Sequence, residues 1–173
     1  MLQKFFKNKN IPKKLKLRLK NTITDKTLTY ASETWTLTKR NRKQLNIFER
    51  KVYRRILGTV YDNRKENWRI LTNKEIYASV KKPTIIETIR LNRLRLFGHV
   101  QRMEENKIPK RVLYMNLGTT RLRGRPRKRW QDEVTEDGIV GGEGWQGKLH
   151  NREERKKLLR TARNRRILHM PME

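Results

Sequence analysis

Residues 84–134 read TIIETIRLNRLRLFGHVQRMEENKIPKRVLYMNLGTTRLRGRPRKRWQDEV, and this stretch decides the fold. Thr84-x-x-Glu87 has the form of a capping box, so a helix is expected over about residues 85–102. On a helical projection Ile85, Ile86, Ile89, Leu96, Phe97, Val100 and Met103 fall in one apolar stripe. Leu91, Leu94 and Gly98 lie off it, which implies packing on two sides, with Gly98 permitting a close approach. Arg93 falls inside the stripe. A buried guanidinium needs a carboxylate or backbone partner, because leaving it unpaired is very costly. Arg93 therefore pairs with a carboxylate, reaches water along its own stem, or meets a phosphate at a helix junction. Ile108-Pro109 opens a further short helix with Val112, Leu113 and Met115 as its apolar residues. A loop over residues 116–125 follows. Pro126 suits the first turn of a helix that carries Trp130 and Val134.

On the N-terminal side, Thr38 can cap a helix over residues 39–57. Its Leu45, Phe48, Val52 and Ile56 recur at helical spacing, and Gly58 is placed to end it. Lys39, Arg40, Arg42, Lys43, Arg50, Lys51 and Arg54 occupy the remaining surface. They form either a solvated face or a phosphate-contacting one. Residues 1–23 read as basic helix. Residues 24–37, rich in threonine, read as irregular or short extended structure anchored by Tyr30 and Trp35. A loop containing Trp68 follows the long helix, and Thr72-x-x-Glu75 caps a short helix that ends before Pro83.

On the C-terminal side, Gly138 closes the Trp130 helix. Gly138, Gly141, Gly142, Gly144 and Gly147 then read as a flexible linker. Asn151-x-x-Glu154 caps a last helix over residues 152–165, with Leu158, Leu159 and Ala162 as its thin apolar face. The expected fold is all-α, with loosely packed basic helices joined by short loops. Its regions are 1–58, a central 59–137, the linker 138–147, and a terminal helix and tail over 148–173.

The chain has 173 residues and a formal net charge of +28, with 34% hydrophobic residues. That hydrophobic share is below the roughly 45–50% of globular domains, so a large core is not expected. Self-repulsion of this size is best relieved by a polyanion, whose counterions are released as Lys and Arg replace them. The absence of cysteine excludes disulfides, thiolate chemistry and Cys-bearing zinc sites. No run approaches the roughly 20 apolar residues of a membrane span, and the N-terminus lacks the apolar core of a signal peptide. The expected partners are RNA, DNA or an RNA–DNA hybrid, with no membrane and no small-molecule substrate. The expected setting is intracellular, nuclear or nucleoprotein-associated.

Arg123-Gly124-Arg125-Pro126-Arg127-Lys128 resembles an AT-hook, in which arginines enter a narrow AT-rich minor groove. The competing reading places these cations, with Arg121 and Arg129, at a helix start as solvated or phosphate-binding groups. Cations there oppose the helix dipole, while Asp132, Glu133, Glu136 and Asp137 fall later in the helix, where cations are preferred. That reversed pattern favours a partner. Asp132 with Glu136, and Glu133 with Asp137, share helical faces as a two-metal site would require, yet the adjacent cations would simply pair with them. His99, His150 and His169 show no ligand or triad spacing. No catalytic residue, metal site or cofactor is expected. Arg93, Arg95, Arg121, Arg123, Arg125, Arg127, Lys128 and Arg129, together with the cations of the 39–57 helix, are the candidate nucleic-acid contacts.

Several runs, in order, resemble the region downstream of the palm in insect-type endonuclease–reverse transcriptases of non-LTR retrotransposons. These are Ile11–Leu19, Leu28–Thr38, Phe48–Gly58, Asn73–Tyr77, Arg93–Met103, Ile108–Leu113 and Arg123–Trp130. The resemblance implies a thumb and C-terminal extension that grips template, primer or element RNA. It also implies a palm with paired aspartates and an endonuclease domain. No Asp-Asp pair occurs in this sequence, so polymerase activity is not expected, and neither is an endonuclease. Around residues 20–27 the chain departs from the family, where a tyrosine and a proline are expected, which fits a degenerate copy. Alternatives are a retrotransposon relic without function and an AT-hook chromatin protein.

Overall fold

The long N-terminal helix forms for the reasons its ends suggest. Thr38 Oγ1 accepts the Asn41 amide at 3.2 Å, satisfying one of the free donors of the first turn. After nineteen helical residues Gly58, at φ +80°, takes a backbone conformation that disfavours side chains and stops the helix. In this computed structural model residues 2–115, 129–139 and 144–168 are described. They form α1 (Leu2–Lys7), α2 (Lys13–Leu19), α3 (Asp25–Thr29), α4 (Lys39–Leu57), the strands β1 (Thr59–Asp62) and β2 (Asn67–Ile70), then α5 (Asn73–Val80) and α6 (Ile85–Gln101). The chain continues with α7 (Ile108–Tyr114), α8 (Trp130–Ile139), α9 (Trp145–His150) and α10 (Arg152–Leu168). A π-helical stretch over Lys20–Thr24 joins α2 to α3, and Ser32–Thr34 forms a single 3-10 turn. The protein is mainly helical, as expected, but not all-α.

Two compact units divide the chain. Among the described residues, the first holds 2–30 and 38–88, and the second holds 31–37, 89–115, 129–139 and 144–168. The boundary between residues 88 and 89 falls inside α6.

In the first unit α1, α2 and α5 pack on α4. Phe6, Val52 and Ile56 form one apolar cluster, and Tyr53, Leu71 and Ile76 another. The buried face of α4 is Glu49, Val52, Tyr53 and Ile56. Phe48 is 40% exposed and Leu45 only half-buried, so the face is rotated from the expected apolar stripe. The cause is a buried polar cluster. Lys20 Nζ lies 2.9 Å from Asp25 Oδ1 and 3.6 Å from Glu49 Oε1, and 3.9 Å from the centre of the Tyr53 ring. Glu49 also accepts the Ile85 amide and the Tyr77 hydroxyl. Burial raises the Glu49 carboxyl, with Lys20 opposing the shift. Burial and then the Glu49 charge push Tyr77 up to about 12. Residues 24–29 are thus helical where irregular chain was expected, because Lys20 and Asp25 close this cluster. Tyr30 is 83% exposed and anchors nothing.

The segment after Gly58, expected as a loop, is an antiparallel hairpin pairing Thr59 with Ile70, Val60 with Arg69, Tyr61 with Trp68 and Asp62 with Asn67. Asp62 Oδ1 accepts the Arg64 amide at 3.1 Å, a local turn bond that favours chain reversal. Thr72 and Glu75 form the expected capping box of α5. Arg69 reaches across to the same Glu75 at 2.8 and 2.5 Å. Its guanidinium is the main cause that holds the Glu75 carboxyl at about 2. Because the fold lowers this pKa, the pair stabilises above the ordinary carboxylate range, and that contribution fades as pH falls toward about 2. Carboxyl chemical shifts should show Glu75 titrating near 2, and Arg69→Gln should move the midpoint toward the ordinary glutamate value.

The second unit is built on Leu94, Phe97, Val100, Leu113, Val134, Trp145 and Leu158. Leu91 and Gly98 of α6 are also buried, so this helix is covered on both sides as expected. Of the apolar residues assigned to α7, only Leu113 is buried; Val112 and Met115 are exposed. The anticipated linker is partly helical. Gly138 lies within α8, and Trp145–His150 forms α9. A Cβ on Gly138 would collide with the buried Trp145 indole. Here glycine serves close packing between α8 and α9. Asn151 Oδ1 accepts the Glu153 amide at the start of α10.

Candidate nucleic-acid interface

Of the three readings open to Arg93, the structure shows pairing with carboxylates, which removes it from the candidate phosphate contacts. Its side chain is fully buried, and its guanidinium Nη1 lies 2.8 Å from Glu133 Oε2 and bonds Asp137. Nη2 donates to the Trp35 carbonyl at 2.8 Å. Arg90 Nε also pairs with Asp137, at 3.0 Å. The four-residue spacing of Glu133 and Asp137 sets both carboxylates on the face of α8 that meets α6. They neutralise Arg93, and among the described residues no group of three or more potential metal ligands occurs.

The reversed-charge reading of the Trp130 helix is corrected for two of its four carboxylates. Since α8 begins at Trp130, Asp132 and Glu133 occupy its first turn, where negative charge is favoured. Asp132 Oδ2 accepts the Arg129 amide at 2.8 Å. Trp130 Nε1 donates to the Glu33 carbonyl at 2.7 Å. Arg121, Arg123, Arg125, Arg127 and Lys128, with the AT-hook-like motif and Pro126, lie outside the described residues.

Three of the α4 candidates come together. Arg50, Lys51 and Arg54, joined by Arg55, line an open pocket of about 560 Å³ whose other walls are Ile47, Gly58, Thr59, Ile70 and Asn73. Helical spacing places these cations on the last two turns of α4, and the hairpin and the first residue of α5 complete the wall. No carboxylate lines this pocket, so it concentrates positive potential where an anion can enter. Arg54 is partly committed: Nε donates to the Leu71 carbonyl at 3.2 Å and Nη2 to Asn73 Oδ1 at 2.7 Å. Arg55 was not among the sequence candidates. Its position one residue after Arg54, facing the chain reversal at Gly58, was the signal for it.

Lys39, Arg40 and Lys43 are exposed near the other end of α4 and are not part of the pocket. Arg42 is half-buried. Arg95 is exposed, and its Nη1 donates to Asn92 Oδ1 at 2.6 Å. In the second unit the Arg102 guanidinium is held below its ordinary value by burial and by the charges of Arg155 and Arg152, a second concentration of like charge.

No known family model, curated protein or solved structure matches the chain. Arg50, Lys51, Arg54 and Arg55 thus gather at one pocket on a mainly helical scaffold. Among the described residues, no helix is long and apolar enough to cross a membrane.

Proposed function

We propose that the protein is a non-catalytic nucleic-acid-binding module, derived from the post-palm region of a non-LTR retrotransposon reverse transcriptase of insect type. The observation that carries the binding half is the α4 pocket, with Arg50, Lys51, Arg54 and Arg55 along one wall and no carboxylate facing them. Four cations at one pocket suit a phosphate backbone, which supplies repeated negative charge and gains affinity from counterion release. The derivation rests on the ordered runs from Ile11 to Trp130. The absence of any Asp-Asp pair supports a role in gripping RNA, DNA or a hybrid rather than in polymerisation.

Charge removal tests the site. Arg50→Gln, Lys51→Gln and Arg55→Gln should each weaken binding to single-stranded RNA. Each should also reduce the slope of log affinity against log salt by about 0.7–1. Arg54 is left out because its hydrogen bonds hold the start of α5. Unchanged slopes in all three variants would place binding elsewhere.

A further inference from the structure

We propose that the Tyr61–Trp68 pair is a base-stacking platform that makes the α4 pocket prefer unpaired nucleic-acid strands to duplex. This inference rests on the reading of the pocket as a phosphate site. In the hairpin register Tyr61 lies opposite Trp68 and Thr59 opposite Ile70. Residues two apart on a strand share a face, so Thr59, Tyr61, Trp68 and Ile70 form one face of the ribbon. Thr59 and Ile70 line the basic pocket. The aromatic pair is therefore the continuation of the pocket wall, about 7 Å further along the ribbon.

The two rings meet edge to face, with centroids 5.4 Å apart and planes at 67°. Tyr61 remains 46% exposed and Trp68 65% exposed, so neither ring serves a core. The ribbon's other face is anchored: Arg69 pairs with Asp62 at 3.2 Å and with Glu75 of α5 at 2.5 Å. The platform is held in place while its rings stay open. An apolar protein surface would not need four cations beside the rings. A single strand needs both elements, since its backbone offers phosphates and its unpaired bases offer π-faces. In duplex the bases already stack on each other, and only the two terminal pairs keep a free face.

Binding of a short labelled oligo-U strand and of a blunt duplex of equal length, followed by anisotropy, separates the possibilities. Trp68→Leu and Tyr61→Leu should bind the single strand about 5- to 150-fold more weakly than wild type and the duplex equally well. Trp68→Phe, which keeps a ring, should retain most single-strand affinity. Circular dichroism of each variant checks that the helices persist. Leucine variants that keep wild-type affinity for the strand, or lose strand and duplex alike, overturn the platform. If their binding stays steeply salt-dependent, the phosphate reading of the pocket survives. A wild-type protein that binds neither ligand removes both.

Discussion

Arg93→Met should destabilise the second unit by about 3–5 kcal/mol, the usual consequence of removing one partner from a buried ion pair. Methionine fills much of the same volume, so the loss would come from charge. Glu133, fully buried, would lose the guanidinium 2.8 Å away, and the Trp35 carbonyl would lose a donor. Asp137 would keep Arg90. The double variant Arg93→Met with Glu133→Gln should recover part of the loss, because it removes a buried negative charge together with the cation that faced it. Denaturant unfolding of the two variants measures this. Nucleic-acid affinity of the protein that remains folded should be unchanged, since Arg93 presents no surface. A stable Arg93→Met variant with weakened binding would restore the phosphate role that burial argues against.

Lys20→Met should be of similar size in the first unit, about 3–5 kcal/mol near neutral pH, and it should depend on pH in a defined direction. Lys20 is the cation between Asp25 and Glu49 and is fully buried. Burial already raises the Glu49 carboxyl while Lys20 opposes that shift. Without Lys20 the folded-state value moves further above that of the unfolded chain. A raised folded pKa gives stability that is present at low pH and lost as pH rises through it. The variant should therefore regain stability relative to wild type as Glu49 becomes protonated on acidification. A pH-independent difference between the two proteins would show that Glu49 is not the group left exposed to the loss.

These two residues also mark what the sequence could and could not convey. The ends of α4 were legible because a threonine cap and a glycine stop act locally. Its buried face was not, because hydrophobic periodicity assigns charged residues to solvent. Glu49 turns inward only because Lys20, far away in sequence, is there to meet it. Arg93 announced by its position in an apolar stripe that it needed a partner, and Glu133 and Asp137 shared a helical face. Nothing in the local pattern joined the two, since the pairing belongs to the packing of α6 against α8. The hairpin was missed because its strands are only four residues each. Thr59-Val60-Tyr61 and Trp68-x-Ile70 around Asp62-Asn63 were nevertheless a usable strand-and-turn signal. The glycines near residue 138 read as a linker by composition, yet Gly138 is small because the Trp145 indole occupies the adjoining space. In the candidate site, the sequence supplied Arg50, Lys51 and Arg54, and only the fold of the hairpin against α4 made them one pocket.

Salt titration of binding to single-stranded RNA, duplex DNA and an RNA–DNA hybrid tests the proposed function most directly. A nucleic-acid grip built on the four α4 cations should lose affinity steeply with salt, with a log–log slope of about −3 on single-stranded RNA. A flat response on all three ligands would contradict it.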